Sequence, residues 1–406
     1  MLAIAACGEA EPTATTATEP QTAAGTTAEQ ARPERRRGLW VLCEGSQRVL
    51  EHPDKFDALL DDAQLLGATD LFVQVYRGGR AWFDSSYADA TPYQQLRETT
   101  GRDTLAELIP RAHVAGLRVH AWVNVLSLSG NTRAPLLSTL GRDVVLVDRA
   151  GRSILDYPDL DVPPPDRTYY RMGTPAVWLD PAAPGLAEHL AATFSELLVR
   201  YPELDGLHLD YLRYPDVLPF VPGSRFGVGL DFGYGAASRA RFRAETGLEA
   251  PLGGSLANAN RWDAWRRDRV RGLLATVRGA AVAVHARVQL SAAVWTYADR
   301  AYLALGQDWR GWLAAGLIDF AVPMAYTLDD QLLGYMAEAF AGVPVGERTW
   351  LGLGVWLFAQ NPAHALEQIR IARAAGGGGD ALFSWDSIAD APQLREALIA
   401  EAGRAP

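Results

Sequence analysis

Residues 204–215 read LDGLHLDYLRYP, and this stretch contains the most informative strand of the chain. Gly206–Asp210 is a short, mainly apolar run that ends in the carboxylate of Asp210. A polar and aromatic segment follows it up to Pro215. Such a run is typical of a strand buried on both faces of a parallel sheet. Asp210 is then predicted at the carboxyl end of that strand, where parallel α/β proteins carry functional residues.

Similar runs recur on both sides of this strand, each followed by an amphipathic segment. Strands are predicted at Leu39–Cys43, Asp70–Val75, Arg118–Val125, Gly206–Asp210, Arg287–Trp295, Asp319–Tyr326, Trp350–Trp356 and Ala381–Trp385. Helices are predicted at 54–66, 104–115, 184–200, 262–284, 308–315, 330–341, 362–375 and 391–401. Eight strand–helix units predict a (β/α)8 TIM barrel. The alternative is a doubly wound open sheet, but residues 43–46 (Cys-Glu-Gly-Ser) do not form the glycine-rich turn that it needs.

The predicted barrel, residues 38–406, is longer than the roughly 250 residues that a barrel needs. The surplus falls in three strand-to-helix connections, at 76–103, 126–183 and 211–261. These connections lie on the catalytic face of a TIM barrel. Long loops on one rim predict a cleft that holds an extended ligand.

The first residues differ in composition from the rest. Residues 1–7 (MLAIAAC) resemble the end of a bacterial lipoprotein signal, truncated and without a positively charged start, with Cys7 as the lipidated residue. Residues 8–37 lack Leu, Ile, Val and aromatic side chains, which predicts a disordered linker. We expect a protein of the cell envelope, lipid-anchored or secreted. The alternative is a low-complexity start of a cytoplasmic protein.

Composition narrows the range of partners. The formal net charge of -10 argues against binding nucleic acid or an anionic membrane by bulk charge. Cys7 and Cys43 are the two cysteines, too few for a disulfide framework or a four-ligand zinc site. The sequence contains no run of about 18 apolar residues, so no membrane-spanning helix is predicted. A lipid at Cys7 is therefore the expected membrane contact.

Three strand-end carboxylates are the catalytic candidates. Asp210 is the most informative, because a buried carboxylate is costly unless it has a function. Glu44 and Asp386 are its candidate partners in an acid/base or nucleophile/acid pair. His208 shares a strand face with Asp210, but the pair lacks the further ligands of a metal site. A salt bridge from Asp210 to Arg213 or Arg77 is the structural alternative.

Aromatic and polar side chains are predicted to surround these carboxylates at the strand ends. Tryptophan offers a flat apolar face with one N–H donor, which suits stacking on sugar rings, although core packing is the alternative for each ring. Asp180, followed by Pro181, reads instead as the cap of the helix at 184–200. The predicted substrate-binding residues are Tyr76, Arg77, Trp122, Asn124, His208, Arg213, Trp295, Tyr326, Trp356 and Trp385.

At the level of whole motifs, LDGLHLDYLRYP resembles the strand-4 signature of the bacterial glycosyl-hydrolase-like family 10. The stretches GLWV, WLDP and WDAWRRDRV resemble further family segments; they occupy 38–41, 178–181 and 262–270. The resemblance implies a TIM barrel, a lipoprotein or secreted location and hydrolysis of glycosidic bonds. Some family members are similar to enzymes that cut peptidoglycan glycan strands.

The resemblance also implies a role for Asp210, because related barrels keep a nucleophile at this position. Two departures stand beside it. His208 replaces an arginine that related barrels often have, and the strand that ends at Trp295 lacks the expected acid. We therefore expect a cofactor-independent glycoside hydrolase acting on a polysaccharide. A non-catalytic carbohydrate-binding lipoprotein is the alternative, and a metal-dependent deacetylase or amidase is a third hypothesis that the sparse histidines argue against.

Overall fold

A computed structural model of the chain describes residues 35–219, 230–341 and 346–403. Neighbouring strands of its barrel pair in parallel, and the last pairs with the first, which closes the sheet. The strands are β1 Arg36–Val41, β2 Asp70–Arg77, β3 Arg118–Asn124, β4 Gly206–Asp210, β5 Gln289–Trp295, β6 Phe320–Met324, β7 Trp350–Leu353 and β8 Gly379–Leu382. The predicted TIM barrel is confirmed, and β4 has its predicted bounds.

Helices surround the barrel and also form within its long loops. They are α1 Phe56–Leu65, α2 Thr91–Thr100, α3 Thr104–Val114, α4 Pro135–Leu140, α5 Leu186–Arg200, α6 Ala236–Thr246, α7 Ala259–Val284, α8 Ala298–Ala304, α9 Trp309–Ala314, α10 Asp330–Ala341, α11 Pro362–Ala374, α12 Trp385–Ala389 and α13 Pro392–Ala402. The eight predicted helices are present within a few residues of their expected ends, whereas α2, α4, α6, α8 and α12 were not predicted. Within the described ranges, no helix is both long and apolar enough to cross a bilayer.

The three long connections carry structure of their own. The loop after β2 forms the strand Arg80–Ala81 and α2, and the loop after β3 forms α4. Two short antiparallel strands, Tyr170–Met172 and Val217–Pro219, join the loops after β3 and β4. This ribbon ties two of the predicted cleft loops together on the carboxyl-end face of the barrel.

β1 starts earlier than the sequence predicted, at Arg36 instead of residue 39, and so includes residues assigned to the linker. Arg36 donates to the buried Asp70, and Arg37 donates to the buried Asp380 at 2.6 Å. Both arginines therefore anchor the amino end of the barrel. Cys7 and the rest of the predicted signal and linker lie outside the described residues.

Asp70 is the centre of a buried ion-pair network at the amino end. Its carboxylate accepts from Arg36 Nε at 2.8 Å and Arg118 Nε at 3.2 Å, and His120 Nε2 lies 2.8 Å away. Burial alone would raise the pKa of Asp70, but the bonds and charges of His120 and Arg36 hold it well below its usual range. Because its partners favour the carboxylate, the network stabilises the fold above the unfolded pKa and weakens as the pH falls.

The barrel interior is packed with aromatic rings. Phe72 stacks on His208 with ring centroids 4.1 Å apart, and Phe320 stacks on Trp350 at 4.0 Å. Trp40 Nε1 donates to His208 Nε2 at 3.0 Å, although β1 and β4 are not adjacent strands. This contact therefore crosses the interior, which is a packed core and not a channel.

Gly206, the first residue of β4, makes room for that packing. A Cβ atom here would lie 2.2 Å from His120 Nδ1 and 2.6 Å from the Gln289 carbonyl oxygen. Both distances are far below van der Waals contact, and the carbonyl oxygen belongs to a barrel strand. The glycine in the quoted motif is thus required by the interior and not by a turn.

We predict that Gly206→Ala lowers the free energy of unfolding by about 1–3 kcal/mol, the usual cost of overpacking a core. Thermal denaturation measures the change. Gly279→Ala is the matched control, because a Cβ on this exposed glycine of α7 meets nothing within 4 Å. Alanine there should raise stability by about 0.5–1 kcal/mol. A Gly206→Ala protein that melts with the wild type would contradict the packing argument.

Candidate active site

Asp210 is the last residue of β4 and lies at the mouth of the barrel. Its side chain is buried, with 8% of the residue exposed. Trp122 Nε1 donates to Oδ2 at 3.2 Å, and the Tyr211 backbone N–H donates to Oδ1 at 2.7 Å. Each carboxylate oxygen thus accepts one hydrogen bond, an arrangement that holds the group in one orientation.

Burial raises the pKa of Asp210 to about 6, against an ordinary value of 3.8. The Tyr211 and Trp122 donors and the positive charges of Arg213 and Arg77 act in the opposite direction, but the loss of hydration is larger. A carboxyl group that titrates near neutrality is suited to proton transfer or nucleophilic chemistry at physiological pH.

An aromatic wall lies beside Asp210, formed by Trp122, Tyr326, Trp356 and Phe383. The ring of Phe383 lies 6.2 Å from Trp122, 5.8 Å from Tyr326 and 5.5 Å from Trp356. Tyr326 meets Trp356 edge to face at 4.8 Å, and Trp356 is 37% exposed. Burial, followed by the charge of Asp210, raises the pKa of Tyr326 well above its usual range. The wall therefore joins the carboxylate to a solvent-accessible apolar surface.

Phe383 was missed because the predicted last strand was too long. The sequence placed the strand end at Trp385, but β8 stops at Leu382 and α12 begins at Trp385. Alternation from Ala381, which lies in the interior cluster, would have pointed to Phe383 as the next residue on that face.

Asn124 lies opposite Asp210 in the pairing of β3 with β4. Its side-chain oxygen accepts from Gln74 Nε2 at 3.3 Å, and Gln74 Oε1 accepts from Cys43 Sγ at 3.2 Å. The predicted position of Asn124 at the mouth is thus observed, and its neighbour Gln74 is a strand-end residue that was not among the predicted substrate-binding residues.

Glu44 lies at the rim between two arginines. Arg77 Nε is 3.2 Å and Arg80 Nη2 is 2.7 Å from its carboxylate oxygens, and all three side chains are partly exposed. Arg77 therefore pairs with Glu44, whereas its effect on Asp210 is electrostatic over a longer distance. Arg80 was not among the predicted residues.

Arg213 lies on the other side of Asp210 and does not form the salt bridge considered for it. Its Nη1 is 3.1 Å from Asp216 Oδ1, and both side chains are buried. The guanidinium group also lies 5.0 Å from the Trp178 ring and 5.6 Å from the Trp295 ring. Asp216 and Trp178 were missed as neighbours, and the ring of Trp295 contacts arginine.

His208 does not reach Asp210 or the mouth. It is completely buried, its Nδ1 lies 2.8 Å from Ser291 Oγ, and its Nε2 accepts from Trp40. Burial lowers the pKa of His208 well below its usual range. The prediction of a substrate contact is corrected: this histidine is neutral, has both ring nitrogens in hydrogen bonds, and belongs to the packed interior.

Tyr76 and Trp385 are also outside the mouth. A register shift between Gln74 and Tyr76 turns Tyr76 toward the helices, where it meets Phe194 of α5 edge to face. Trp385 is 1% exposed, and its Nε1 donates to Asp62 of α1 at 3.0 Å. Both rings pack between the barrel and its helices, which is the core-packing alternative.

Two further aspartates have backbone partners. Asp386, in the first turn of α12, accepts from the Leu42 and Gln47 backbone N–H groups at 3.2 and 3.1 Å. It therefore fixes the loop after β1, and burial raises its pKa. Asp180 does not cap α5, which begins at Leu186; it accepts from the Ala182 N–H instead.

The described residues do not form a cluster of potential metal ligands. Across residues 35–219, 230–341 and 346–403, no three His, Cys, Asp or Glu side chains come together as metal ligands. The buried His208 has no carboxylate partner of its own, since its ring nitrogens are bonded to Ser291 and Trp40.

The comparisons with known proteins agree with this architecture. A family model described as "Glycosyl hydrolase-like 10" matches residues 35–333, well over half of the chain. The chain belongs to the glycosyl hydrolase-like 10 family. The family resemblance read from the motifs is thereby confirmed.

The chain matches only part of the length of its curated relatives. The chain is 25% identical over 317 residues to "Glycosyl hydrolase DigH" of Escherichia coli K12, covering 73% of this chain and 64% of that protein. It is 24% identical over 309 residues to "Glycosyl hydrolase YngK" of Bacillus subtilis, covering 72% of this chain and 52% of that protein. The match thus spans between half and two-thirds of these relatives.

Solved structures share the fold at low identity. The catalytic domain of a β-amylase from Paenibacillus polymyxa has a TM-score of 0.53 and 13% identity, covering 91% of this chain and 99% of that one. A β-galactosidase from Marinomonas ef1 has a TM-score of 0.57 and 12% identity, covering 91% and 59%. Both likenesses establish the barrel.

We predict that Asp210→Asn stabilises the protein at pH 8 and not at pH 4. Because burial raises the pKa of Asp210 to about 6, ionisation costs the native state stability as the pH rises from about 4 through 6. Once Asp210 is fully ionised, the free energy of unfolding is lower by about 3 kcal/mol. Thermal melts at both pH values test this, with Asp156→Asn, whose side chain is 65% exposed, as control. Equal melting temperatures at pH 8 would contradict the burial argument.

Proposed function

We propose that this protein is a glycoside hydrolase that cleaves O-glycosidic bonds in a polysaccharide and uses Asp210 as its essential carboxylate. The observation that carries the proposal is the position of Asp210, buried at the end of β4 beside a partly exposed aromatic wall. Glycoside hydrolysis needs a fixed carboxyl group next to a surface that holds a sugar ring. Family membership and the barrel support the same reaction class.

In this proposal Asp210 works in its ionised form. Both of its oxygens accept N–H groups, from Trp122 and Tyr211, and neither is seen donating a proton to a protein acceptor. A carboxylate held in this way can attack the anomeric carbon or stabilise the positive charge of an oxocarbenium-like transition state. The Trp122 N–H sets the orientation of the Asp210 carboxylate. The negative charge of Asp210 interacts more strongly with a ligand because little water surrounds it.

The aromatic wall provides the proposed sugar contact. Trp356 and Tyr326 are partly exposed and lie next to Phe383. Aromatic faces stack on the apolar face of a sugar ring and leave its hydroxyl groups free for polar partners. Asn124 and Arg77 are polar groups on the same rim. Trp295 belongs to the opposite side of Asp210, near Arg213.

Glu44 is the proposed second carboxylate. Its side chain is partly exposed at the rim, whereas Asp386 is buried and holds the backbone of the loop after β1. The acid that related barrels carry on the fifth strand has no counterpart at Trp295. Since Glu44 is itself engaged by Arg77 and Arg80, the same geometry also favours the alternative, a carbohydrate-binding protein that does not hydrolyse its ligand.

The substrate and location remain part of the proposal. The motif resemblance favours peptidoglycan glycan strands over other polysaccharides. A lipid anchor at Cys7 or secretion would bring the barrel to the cell envelope. No cofactor is required for this chemistry, because both roles fall to carboxyl groups.

The test is cleavage of a glycan panel by the full chain, with detection of new reducing ends and product masses. The panel contains peptidoglycan glycan strands with and without stem peptides, together with α- and β-glucans. We expect release from at least one glycan and a loss of at least a thousandfold in Asp210→Asn. Glu44→Gln should also lose activity if Glu44 is the partner.

Asp180→Asn is the matched control, because Asp180 is also buried and burial raises its pKa to about 6 as well, but it bonds to Ser238 and Ala182. It should keep full turnover. Undiminished cleavage by Asp210→Asn would overturn the catalytic assignment. Saturable binding to a glycan with no release by the wild type would replace hydrolysis by the binding alternative.

The pH profile gives a second prediction. If ionised Asp210 is the reacting group, kcat/KM should rise as the pH passes upward through about 6, the raised pKa of this carboxyl group. Trp122→Phe removes one donor to the carboxylate and should move this limb to higher pH. Activity that falls as the pH passes through 6, with no rising limb below it, would mean that the protonated form of Asp210 is required, which contradicts the proposed role.

A further inference from the structure

Three buried polar side chains form a row around the mouth of the barrel that ends beside Asp210. Cys43 follows β1, Gln74 lies in β2 and Asn124 ends β3, so the row crosses to the next strand at each step. Cys43 Sγ donates to Gln74 Oε1 at 3.2 Å, and Gln74 Nε2 donates to Asn124 Oδ1 at 3.3 Å. Asn124 is the register partner of Asp210 on β4. We call Cys43, Gln74 and Asn124 the polar row.

The polar row is buried, and none of its three residues is more than 4% exposed. Burying polar groups costs free energy that their hydrogen bonds only partly recover. Apolar side chains of similar size would fill these positions at a lower cost. The row therefore points to a role in the site beyond the packing of the mouth.

The thiol of Cys43 fixes the direction of the polar row. The oxygen and nitrogen ends of an amide have nearly the same shape, so the partners of each amide decide which end faces which way. Burial, followed by the charge of Glu44, raises the pKa of Cys43 well above its ordinary value, so the sulfur keeps its proton. Its S–H group selects the oxygen of Gln74. The nitrogen of Gln74 then donates, which selects the oxygen of Asn124.

The amide nitrogen of Asn124 is the free end of the polar row. In the part of the chain that the structure describes, this nitrogen has no hydrogen-bond acceptor, and it is not closed off from solvent. Asp210 does not use it, since its two oxygens accept from Trp122 and Tyr211. An amide nitrogen carries two N–H bonds. Both are therefore available to a ligand beside Asp210.

We propose that the Asn124 amide donates to an oxygen of the substituent on the sugar carbon next to the anomeric carbon, and that Cys43 and Gln74 are the positioning residues that direct it. The inference rests on the proposed function and adds a substrate contact to it. Neighbouring parallel strands are about 4.8 Å apart, so a group at this register reaches atoms adjacent to the carbon that Asp210 faces.

The charge that develops in the reaction selects between the two oxygens within this reach. The ring oxygen gains positive charge in an oxocarbenium-like transition state, which makes it a poor acceptor. Hydrogen bonds to the group at carbon 2 strengthen in the same transition state. A hydroxyl and an acetamido group at carbon 2 both offer an acceptor oxygen to the N–H groups of Asn124.

The direction of the polar row is tested without a ligand. In the full chain labelled with nitrogen-15 at asparagine and glutamine, NMR measures solvent exchange of each side-chain amide, and Asn124→Ala and Gln74→Met assign the signals. We expect fast exchange at Asn124 and slow exchange at Gln74. Cys43→Ala should speed exchange at Gln74, and Cys43→Ser, which keeps a donor, should restore the slow rate. A protected Asn124 beside a fast-exchanging Gln74 would mean that the row runs the other way, and would overturn the proposal.

Ligand recognition is tested by isothermal titration calorimetry with two tetrasaccharides of the same β-1,4 backbone. Cellotetraose carries a hydroxyl at carbon 2 and chitotetraose an acetamido group, so the two arms distinguish the sources of the oxygen. Asp210→Ala is the background, because it prevents cleavage and places no second amide beside Asn124. We expect Asn124→Ala to weaken the binding of at least one tetrasaccharide about tenfold and Cys43→Ala about threefold. Cys43→Ser should bind within about twofold of the background.

Val73→Ala is the matched control for the loss of side-chain volume. Val73 is buried next to Gln74 and, as its neighbour in β2, lies on the opposite face of the strand. Its truncation removes packing but no hydrogen bond, so the affinity should not change. Thermal melts show whether each variant is folded.

The outcomes separate this inference from the proposed function. An affinity that Asn124→Ala leaves unchanged, or that Val73→Ala lowers as much as Cys43→Ala, overturns the inference even if the wild type cleaves glycans. Binding of neither tetrasaccharide overturns the contact at carbon 2. Losses in Asn124→Ala and Cys43→Ala that Cys43→Ser does not share support the inference even if the wild type releases no reducing ends.

Discussion

The volume of the barrel interior is the constraint on which the rest of the structure depends. Aromatic rings and His208 fill it, and they fit because Gly38 and Gly206 leave space where a Cβ would lie 2.4 Å from Phe72 or 2.2 Å from His120. With the interior full, the open surface is at the mouth. Trp122 is one of the interior rings, and its N–H donates to Asp210 and orients it. Packing therefore positions the candidate active site.

Charge is distributed differently at the two ends of the barrel. At the amino end, Asp70 and Asp380 are buried with arginine partners, so their ionised forms stabilise the fold. At the mouth, Asp210 has two N–H donors and no arginine within ion-pair distance among those described, so burial dominates and its pKa rises. Ionised aspartates thus stabilise the amino end, whereas ionisation of Asp210 at the mouth costs the folded state free energy.

The sequence predicted the fold well because the signal for each unit is local. Short apolar strands and amphipathic helices are sufficient to predict eight units, and the long loops all follow strands, which locates the cleft. Asp210 was predicted as a site residue because it ends one of these strands. The long loops were harder, since their helices and their ribbon depend on contacts between segments far apart in the chain. The site was predicted only in part for a related reason: a single register shift after Gln74 turned Tyr76 outward, and an early end of β8 replaced Trp385 by Phe383.

The pKa of Asp210 is the quantity that tests these ideas most directly. It can be measured by carbon NMR of protein labelled at the aspartate carboxyl groups, with Asp210→Asn to assign the signal. A titration near pH 6 that moves when a glycan binds is the predicted result, because the ligand would displace the remaining water and change the local charge. A titration near 3.8, or one that no glycan shifts, would contradict the view that Asp210 is a buried, reactive carboxylate in a glycan-binding mouth.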